Sequence, residues 1–127
     1  MNNLIIEATK STPGIQFDGV QGIFRITGES YPENAAKFYT PVTEWLENWL
    51  QQPEAVLELE FEIIYFNSSS SKIFMNIFDL FERAVAAGKK ASVVWRCDAE
   101  NETAIECGEE FSKDLVALPF RIEIIGV

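Results

Sequence analysis

The chain contains no histidine, only two cysteines, and half as many basic residues as acidic ones, 10 against 20. Histidine is the commonest general base and metal ligand, so its absence removes the simplest route to either kind of site. A net charge of −10 repels nucleic-acid phosphates and anionic lipid headgroups. We therefore expect no metal, no nucleic acid and no membrane surface among the ligands of this protein.

Several motifs that carry chemistry are also missing from the sequence. It has no phosphate-binding GxxxxGKS or GxxxxGKT, no dinucleotide-binding GxGxxG, no hydrolase GxSxG and no CxxC pair. Its carboxylates are not spaced as a catalytic or calcium-binding set. These absences predict a protein that uses no cofactor and is not an enzyme.

Length and hydrophobicity predict a single folded domain over residues 1–127. The chain is 47% hydrophobic, yet no apolar run approaches the length that spans a bilayer, and no basic segment opens it. Cys97 and Cys107 fall in different predicted elements, which favours free thiols in a reducing compartment. We expect an unprocessed cytoplasmic protein.

Hydrophobic periodicity and turn residues predict alternating strands and helices. The first helix is expected to follow a capping box from Ser30 to Glu33, to carry an apolar stripe over 35–50, and to kink near Thr40 because of Pro41. The predicted strands cover 3–8, 15–17, 23–27, 56–66, 91–97 and 120–125, and the later helices cover 73–87 and 101–114.

The strands alternate apolar residues with charged ones, which indicates a sheet covered on one face only. We predict an α/β two-layer sandwich, in which a mixed sheet of about six strands carries three helices mainly on one face. The open face is expected to hold cross-strand ion pairs. These pairs would join the acidic Glu58, Glu60, Glu62 and Glu123 to the basic Arg25, Arg96 and Arg121.

Four consecutive serines, residues 68–71, follow the longest predicted strand and precede an amphipathic helix. One serine suffices to cap a helix, whereas four leave spare hydroxyls at a terminus whose N–H groups favour a phosphate. The outward register at the end of this strand carries Ile64 and Phe66 in place of glutamate. This combination predicts a partner-docking patch beside modifiable hydroxyls, although a second subunit would cover the same apolar residues equally well.

The third predicted helix is strongly acidic. Seven acidic residues and one lysine between Asp98 and Asp114 account for −6 of the net charge. A solvated face is the ordinary interpretation of such a run, and a docking surface for a basic partner is the alternative. The candidate acidic surface consists of Glu102, Glu106, Glu109 and Glu110.

Three segments together resemble the SiaC family of regulatory phosphoproteins, which have a STAS-like fold. They are GESYPEN at 28–34 with the following Phe38-Tyr39, YFNSSSSK at 65–72, and Trp95 followed by the acidic run through ECGEEF at 106–111. The family usually has a denser acidic run where this chain has Ala99-Glu100-Asn101-Glu102.

The resemblance implies a bacterial partner-switching protein in cyclic-di-GMP signalling. A cognate kinase phosphorylates the hydroxyl right after the loop asparagine, a PP2C-type phosphatase removes the phosphate, and the unmodified form binds and activates a diguanylate cyclase. The matching position is Ser68, where the family often has threonine, and Ser69 is a rival acceptor. We expect Asn67 to brace the loop, and we expect Asn67, Ser70 and Lys72 to lie at the docking site. Lys72 is either a partial neutraliser of the phosphate or a solvated lysine.

Two alternatives to a phospho-switch remain at this point. One is a homo-oligomeric structural module in which Ile64 and Phe66 form a homodimer interface. The other is a small enzyme with a nucleophilic serine, for which the sequence shows no base.

Overall fold

The computed structural model describes residues 3–53 and 56–126 of the chain. Within those ranges the elements are β1 (Leu4–Ile6), β2 (Gly14–Asp18), β3 (Ile23–Ser30), α1 (Ala35–Leu50), β4 (Val56–Phe66), α2 (Ser68–Ala86), β5 (Lys90–Asp98), α3 (Glu102–Ser112) and β6 (Phe120–Ile125). The bounds of β4 and β6 match the predicted ones, and α1 is a single helix that contains Pro41.

The strands lie in the sheet in the order in which they occur in the chain. β1, β2 and β3 pair antiparallel, and β3 to β6 pair parallel through α1, α2 and α3. Crossovers between parallel strands are right-handed, and each one here advances by one strand in the same direction. All three helices are therefore placed on one face, which confirms the predicted two-layer sandwich.

Aromatic rings fill the core between the sheet and the helices. Trp95 of β5 stacks on Phe61 of β4 with ring centroids 5.7 Å apart, and both side chains are fully buried. The indole N–H of Trp95 donates to the Ala104 carbonyl at 2.9 Å, which fastens α3 to the sheet. A Cβ on Gly108 would lie 2.6 Å from the Trp95 ring, so this close approach requires glycine.

The open face carries ion pairs at its centre from two of the four predicted acidic residues, Glu60 and Glu123, whereas Glu58 and Glu62 have no ion-pair partner among the described residues. Glu60, only 6% exposed, accepts from Arg25 at 3.0 Å and from Arg96 at 2.6 Å. Arg96 also donates to Glu123 at 2.9 Å, and Arg121 reaches Glu123 at 3.4 Å. The network links β3, β4, β5 and β6, so it fixes the strands against one another on the face opposite the three helices.

This network makes folding stability depend on pH through Glu60. Burial alone would raise the pKa of Glu60, but hydrogen bonds and attraction from Arg96 and Arg25 outweigh it and hold the pKa below its ordinary value of 4.5. The stabilisation is present above that value and is lost as pH falls through the lowered pKa. We expect Glu60→Gln to cost about 1–3 kcal/mol at pH 7 and progressively less below the ordinary pKa of 4.5, measured by urea unfolding at several pH values. A constant difference down to about pH 2 would contradict this assignment.

Two helix starts differ from the prediction. Asn34, not Ser30, caps α1, and Ser30 instead ends β3 as a fully buried residue, so the predicted capping box is wrong. α2 begins at Ser68 rather than at residue 73. α3 is shorter than predicted. None of the helices among the described residues combines the length and the hydropathy of a membrane span.

Candidate functional site

The three helices all begin at the carboxyl edge of the parallel strands, and each has an asparagine as its N-cap. Asn34, Asn67 and Asn101 accept the backbone N–H three residues later through Oδ1, at 3.0, 2.9 and 3.1 Å. Asparagine suits this position because its short side chain satisfies a donor that the helix itself leaves unpaired. The edge thus presents three helix N-termini, a common location for ligands in sheets of this kind.

The four serines form the first turn of α2 rather than a loop. Asn67 lies between β4 and α2. Its Oδ1 accepts the N–H of Ser70, and its backbone carbonyl accepts the N–H of Ser71. The N–H groups of Ser68 and Ser69 have no acceptor among the described residues. The Ser68 and Ser69 side chains are exposed, Ser71 is half-buried and Ser70 is fully buried. Two of the four hydroxyls are therefore exposed to another protein.

Ser70 braces the site from below. Its Oγ accepts from Ser30 Oγ at 2.8 Å, and Ser30 Oγ lies 2.6 Å from the hydroxyl of Tyr39 in α1. The Ser30 carbonyl also accepts the N–H of Asn67 at 3.1 Å. Ser70 is fully buried, so its predicted place in the docking surface is wrong. Ser30, which the sequence pattern predicts as part of a capping box, instead links β3, α1 and α2 through its hydroxyl and its carbonyl.

We expect Ser70→Ala to destabilise the fold by about 1–3 kcal/mol, because the buried Ser30 hydroxyl loses its acceptor. Ser69→Ala, one residue earlier and exposed, should change stability by less than about 0.5 kcal/mol. Urea unfolding of the two variants beside the parent protein measures both values. Equal stability of the two variants would show that the buried hydroxyl chain contributes nothing.

A β-bulge at the end of β4 changes which side chains face outward. The pairing of β3 with β4 shifts between Gly28 and Glu29, so that Ile64 lies opposite no residue of β3. Ile64 is 64% exposed and Tyr65 is 53% exposed, whereas Phe66 turns inward and is half-buried. The predicted outward position of Phe66 is wrong because the bulge adds one residue and inverts the alternation. Phe66 packs against the rings of Phe74, Trp95 and Phe111.

Asn101 holds this bulge in place. Its Nδ2 donates to the Ile64 carbonyl at 2.9 Å while its Oδ1 caps α3. A single amide side chain therefore connects the β5–α3 junction to the exposed end of β4. Sequence reasoning missed this role, because asparagine at a helix start gives no signal for a contact 37 residues away.

An open depression of about 600 Å³ lies next to Ile64 on the open face. Its lining includes Glu62, Asp98 and Glu100, together with Arg96, whose guanidinium is already paired with acidic residues of the open face. Because the cation is neutralised, the depression is acidic overall. A partner that covers Ile64 would meet this acidic rim.

The predicted acidic surface is present on α3. Glu102, Glu106, Glu109 and Glu110 are all exposed, and Glu110 pairs with Lys113 at 3.1 Å. Glu102 lies in the first turn, where a negative charge complements the helix dipole. The other three lie beyond that turn, where the helix dipole gives their negative charges no stabilisation.

Lys72 extends the site along α2. It is exposed, and the structure gives its ammonium no ion-pair partner in the described ranges. It follows Ser68 by one helical turn, a spacing at which side chains on a helix surface are neighbours. Lys72 is thus placed to approach an anion on Ser68.

The thiols and the exposed serines lack the features of an activated nucleophile. Burial raises the pKa of Cys97 and of Cys107, so both thiols stay protonated at neutral pH. The hydroxyls of Ser68 and Ser69 have no hydrogen-bonded base among the described side chains. What the arrangement offers is an exposed hydroxyl at a helix N-terminus, three and four residues after the exposed Tyr65 and Ile64.

Comparison with known proteins gives a consistent result. A family model described as SiaC family regulatory phosphoprotein matches residues 6–125. An uncharacterized protein of Pseudomonas aeruginosa strain UCBPP-PA14 is 40% identical over 123 residues, 97% of each chain. The structure of SiaC of Pseudomonas aeruginosa has 38% identity and a TM-score of 0.91, and the match covers 98% of this chain and all of that one. A chain in the crystal structure of the diguanylate cyclase SiaD in complex with its activator SiaC, also from Pseudomonas aeruginosa, has 39% identity and a TM-score of 0.91, with 96% and 99% covered.

Proposed function

The chain belongs to the SiaC family of regulatory phosphoproteins, and from this premise we propose that it is a partner-switching protein whose binding to a diguanylate cyclase is controlled by phosphate on Ser68. The observation that supports the proposal most strongly is the position of Ser68. Its exposed hydroxyl opens α2, and the exposed Ile64 and Tyr65 precede it by four and three residues.

Ser68 is the favoured acceptor among the four serines. Ser70 is sealed inside the protein and Ser71 is half-buried, so neither is as open to a modifying enzyme. Ser69 is exposed like Ser68, but Ser68 directly follows Asn67, which is the place of the modified hydroxyl in the family that the sequence resembles. Ser69 is therefore the internal comparison in the tests of modification at Ser68.

A phosphate on Ser68 acts on the surface and leaves the helix intact. It adds about −1.5 to −2 charges at neutral pH, and the helix N-terminus with its unpaired N–H groups stabilises them. Lys72, one turn later, offsets a further part. The same dianion beside Ile64 and Tyr65 must be desolvated when an apolar partner surface covers them, and this cost opposes docking.

The partner follows from the family. The solved complex joins SiaC to the diguanylate cyclase that it activates, and this chain matches its SiaC fold over nearly its whole length. We assign a diguanylate cyclase as the target of the unmodified form. We expect a protein kinase to transfer the phosphate to Ser68 and a phosphatase of the PP2C type to remove it, as the family resemblance implies, both in the cytoplasm, where ATP is available.

Reconstitution with a cognate cyclase tests the function. Unmodified protein should raise the rate of cyclic-di-GMP formation, kinase-treated protein should not, and Ser68→Ala should activate both with and without kinase. Ser69→Ala should remain sensitive to the kinase. Full activation by protein shown by mass spectrometry to carry phosphate on Ser68 would refute the proposal.

A further inference from the structure

β6 forms one edge of the sheet, and its outer side has no strand beside it in the described residues. Val93 N–H donates to the Pro119 carbonyl at 2.9 Å, and Ala99 N–H donates to the Ile125 carbonyl at 3.1 Å. The odd-numbered residues of 119–125 therefore point their N–H and C=O groups toward β5. Because the direction alternates along a strand, the even-numbered residues turn theirs outward.

We propose that β6 is a self-association surface, on which a second copy of this chain adds its own β6 antiparallel and centred on Ile122. A two-fold axis at Ile122 places Ile122 opposite its own copy and Phe120 opposite Ile124 of the second copy. These are the residues whose N–H and C=O groups face outward, so each such pair can exchange two hydrogen bonds.

The charges of β6 select this register. With the axis at Ile122, Arg121 of each copy lies directly opposite Glu123 of the other on the open face, a stabilising cross-strand arrangement. Moving the axis by one residue places either Arg121 against Arg121 or Glu123 against Glu123. Both neighbouring registers thus oppose like charges, while the central one extends the ion network that already joins Glu123 to Arg96.

The apolar side of the strand agrees with the same pairing. Ile124 is 48% exposed, unusually open for the apolar face of a strand, and the half-buried Phe120 of the second copy would lie opposite it. The pairing would join two six-stranded sheets into one continuous sheet. β6 lies two strands away from β4, which leads to Ser68, so the dimer would leave the proposed switch accessible.

Sedimentation velocity over a range of concentrations tests the proposal on the full chain. Wild-type protein should show a concentration-dependent dimer. Ile124→Pro removes an outward N–H without touching a bond to β5, and Arg121→Glu places two carboxylates opposite each other. Each should raise the dimer dissociation constant at least about tenfold. Lys37→Glu, with the same charge change on α1, should leave it unaltered, and circular dichroism confirms that each variant is folded.

A wild-type protein that stays monomeric up to about 1 mM would overturn the proposal. So would a dimer that neither substitution weakens, since its interface would then lie elsewhere. If Ile124→Pro fails to fold, Arg121→Glu alone tests the interface, because Arg121 has an exposed side chain and its replacement should not disturb the core. Loss of cyclase binding in Arg121→Glu, with a monomeric wild type, would assign the edge to the cyclase and also overturn self-association.

Discussion

Ser68→Asp should weaken binding to the diguanylate cyclase by about 100-fold, which corresponds to about 2.7 kcal/mol. The carboxylate introduces one fixed charge at the start of α2, beside the exposed Ile64 and Tyr65 that we assign to the docking surface. Aspartate carries less charge than phosphate and fewer acceptor oxygens, so true phosphorylation should reduce affinity further. Isothermal titration of the cyclase with each protein measures the difference.

Ser69→Asp is the matched control, because it places the same charge one residue further along the same exposed turn. Successive side chains on a helix point about 100° apart, so the carboxylate of Ser69→Asp projects in a different direction from the side chain at Ser68. We expect less than about a tenfold loss for Ser69→Asp. If the two variants bind equally weakly, general repulsion and not a specific position would explain the effect.

Trp95→Ala should produce the largest loss of stability, about 3–5 kcal/mol. The substitution opens a cavity among Phe61, Phe66, Phe74 and Phe111, and it removes the indole N–H that donates to the Ala104 carbonyl. This is a large fraction of the stability of an ordinary domain. Chemical unfolding monitored by circular dichroism measures it.

Trp95→Phe separates the two contributions. It keeps a ring in the core and removes the N–H, so we expect a smaller loss, nearer to that of one hydrogen bond with some cavity cost. Met75→Ala, at a side chain that is 49% exposed on α2, serves as the surface control. If Trp95→Ala were no worse than Met75→Ala, Trp95 would not be the centre of the core.

The layers of the fold could be predicted because they follow from the spacing of apolar residues along each strand and helix. The alternation of apolar and acidic residues over Val56–Phe66 assigns each side chain to a face, and the arginines of neighbouring strands then meet Glu60. The helical stripe that ends at Leu50 likewise located α1 despite Pro41. Patterns that repeat along the chain carry this information without reference to tertiary contacts.

The details of the site could not be predicted, because they depend on contacts between distant segments. The bulge that turns Tyr65 outward and Phe66 inward arises from pairing with β3, and Asn101 stabilises it from another junction. Serine and asparagine both suit a helix N-cap, so the sequence could not show that Asn67 takes this role and leaves Ser70 to bond Ser30.

The most direct measurement is a titration of the cyclase with homogeneous protein phosphorylated on Ser68 alone, before and after phosphatase treatment of the same sample. The phosphorylated protein should show no measurable binding. Its circular dichroism spectrum should match that of the parent, and its unfolding midpoint should be at least as high. Dephosphorylation should restore full affinity. Equal affinity before and after treatment, with the phosphate confirmed on Ser68, would contradict the account.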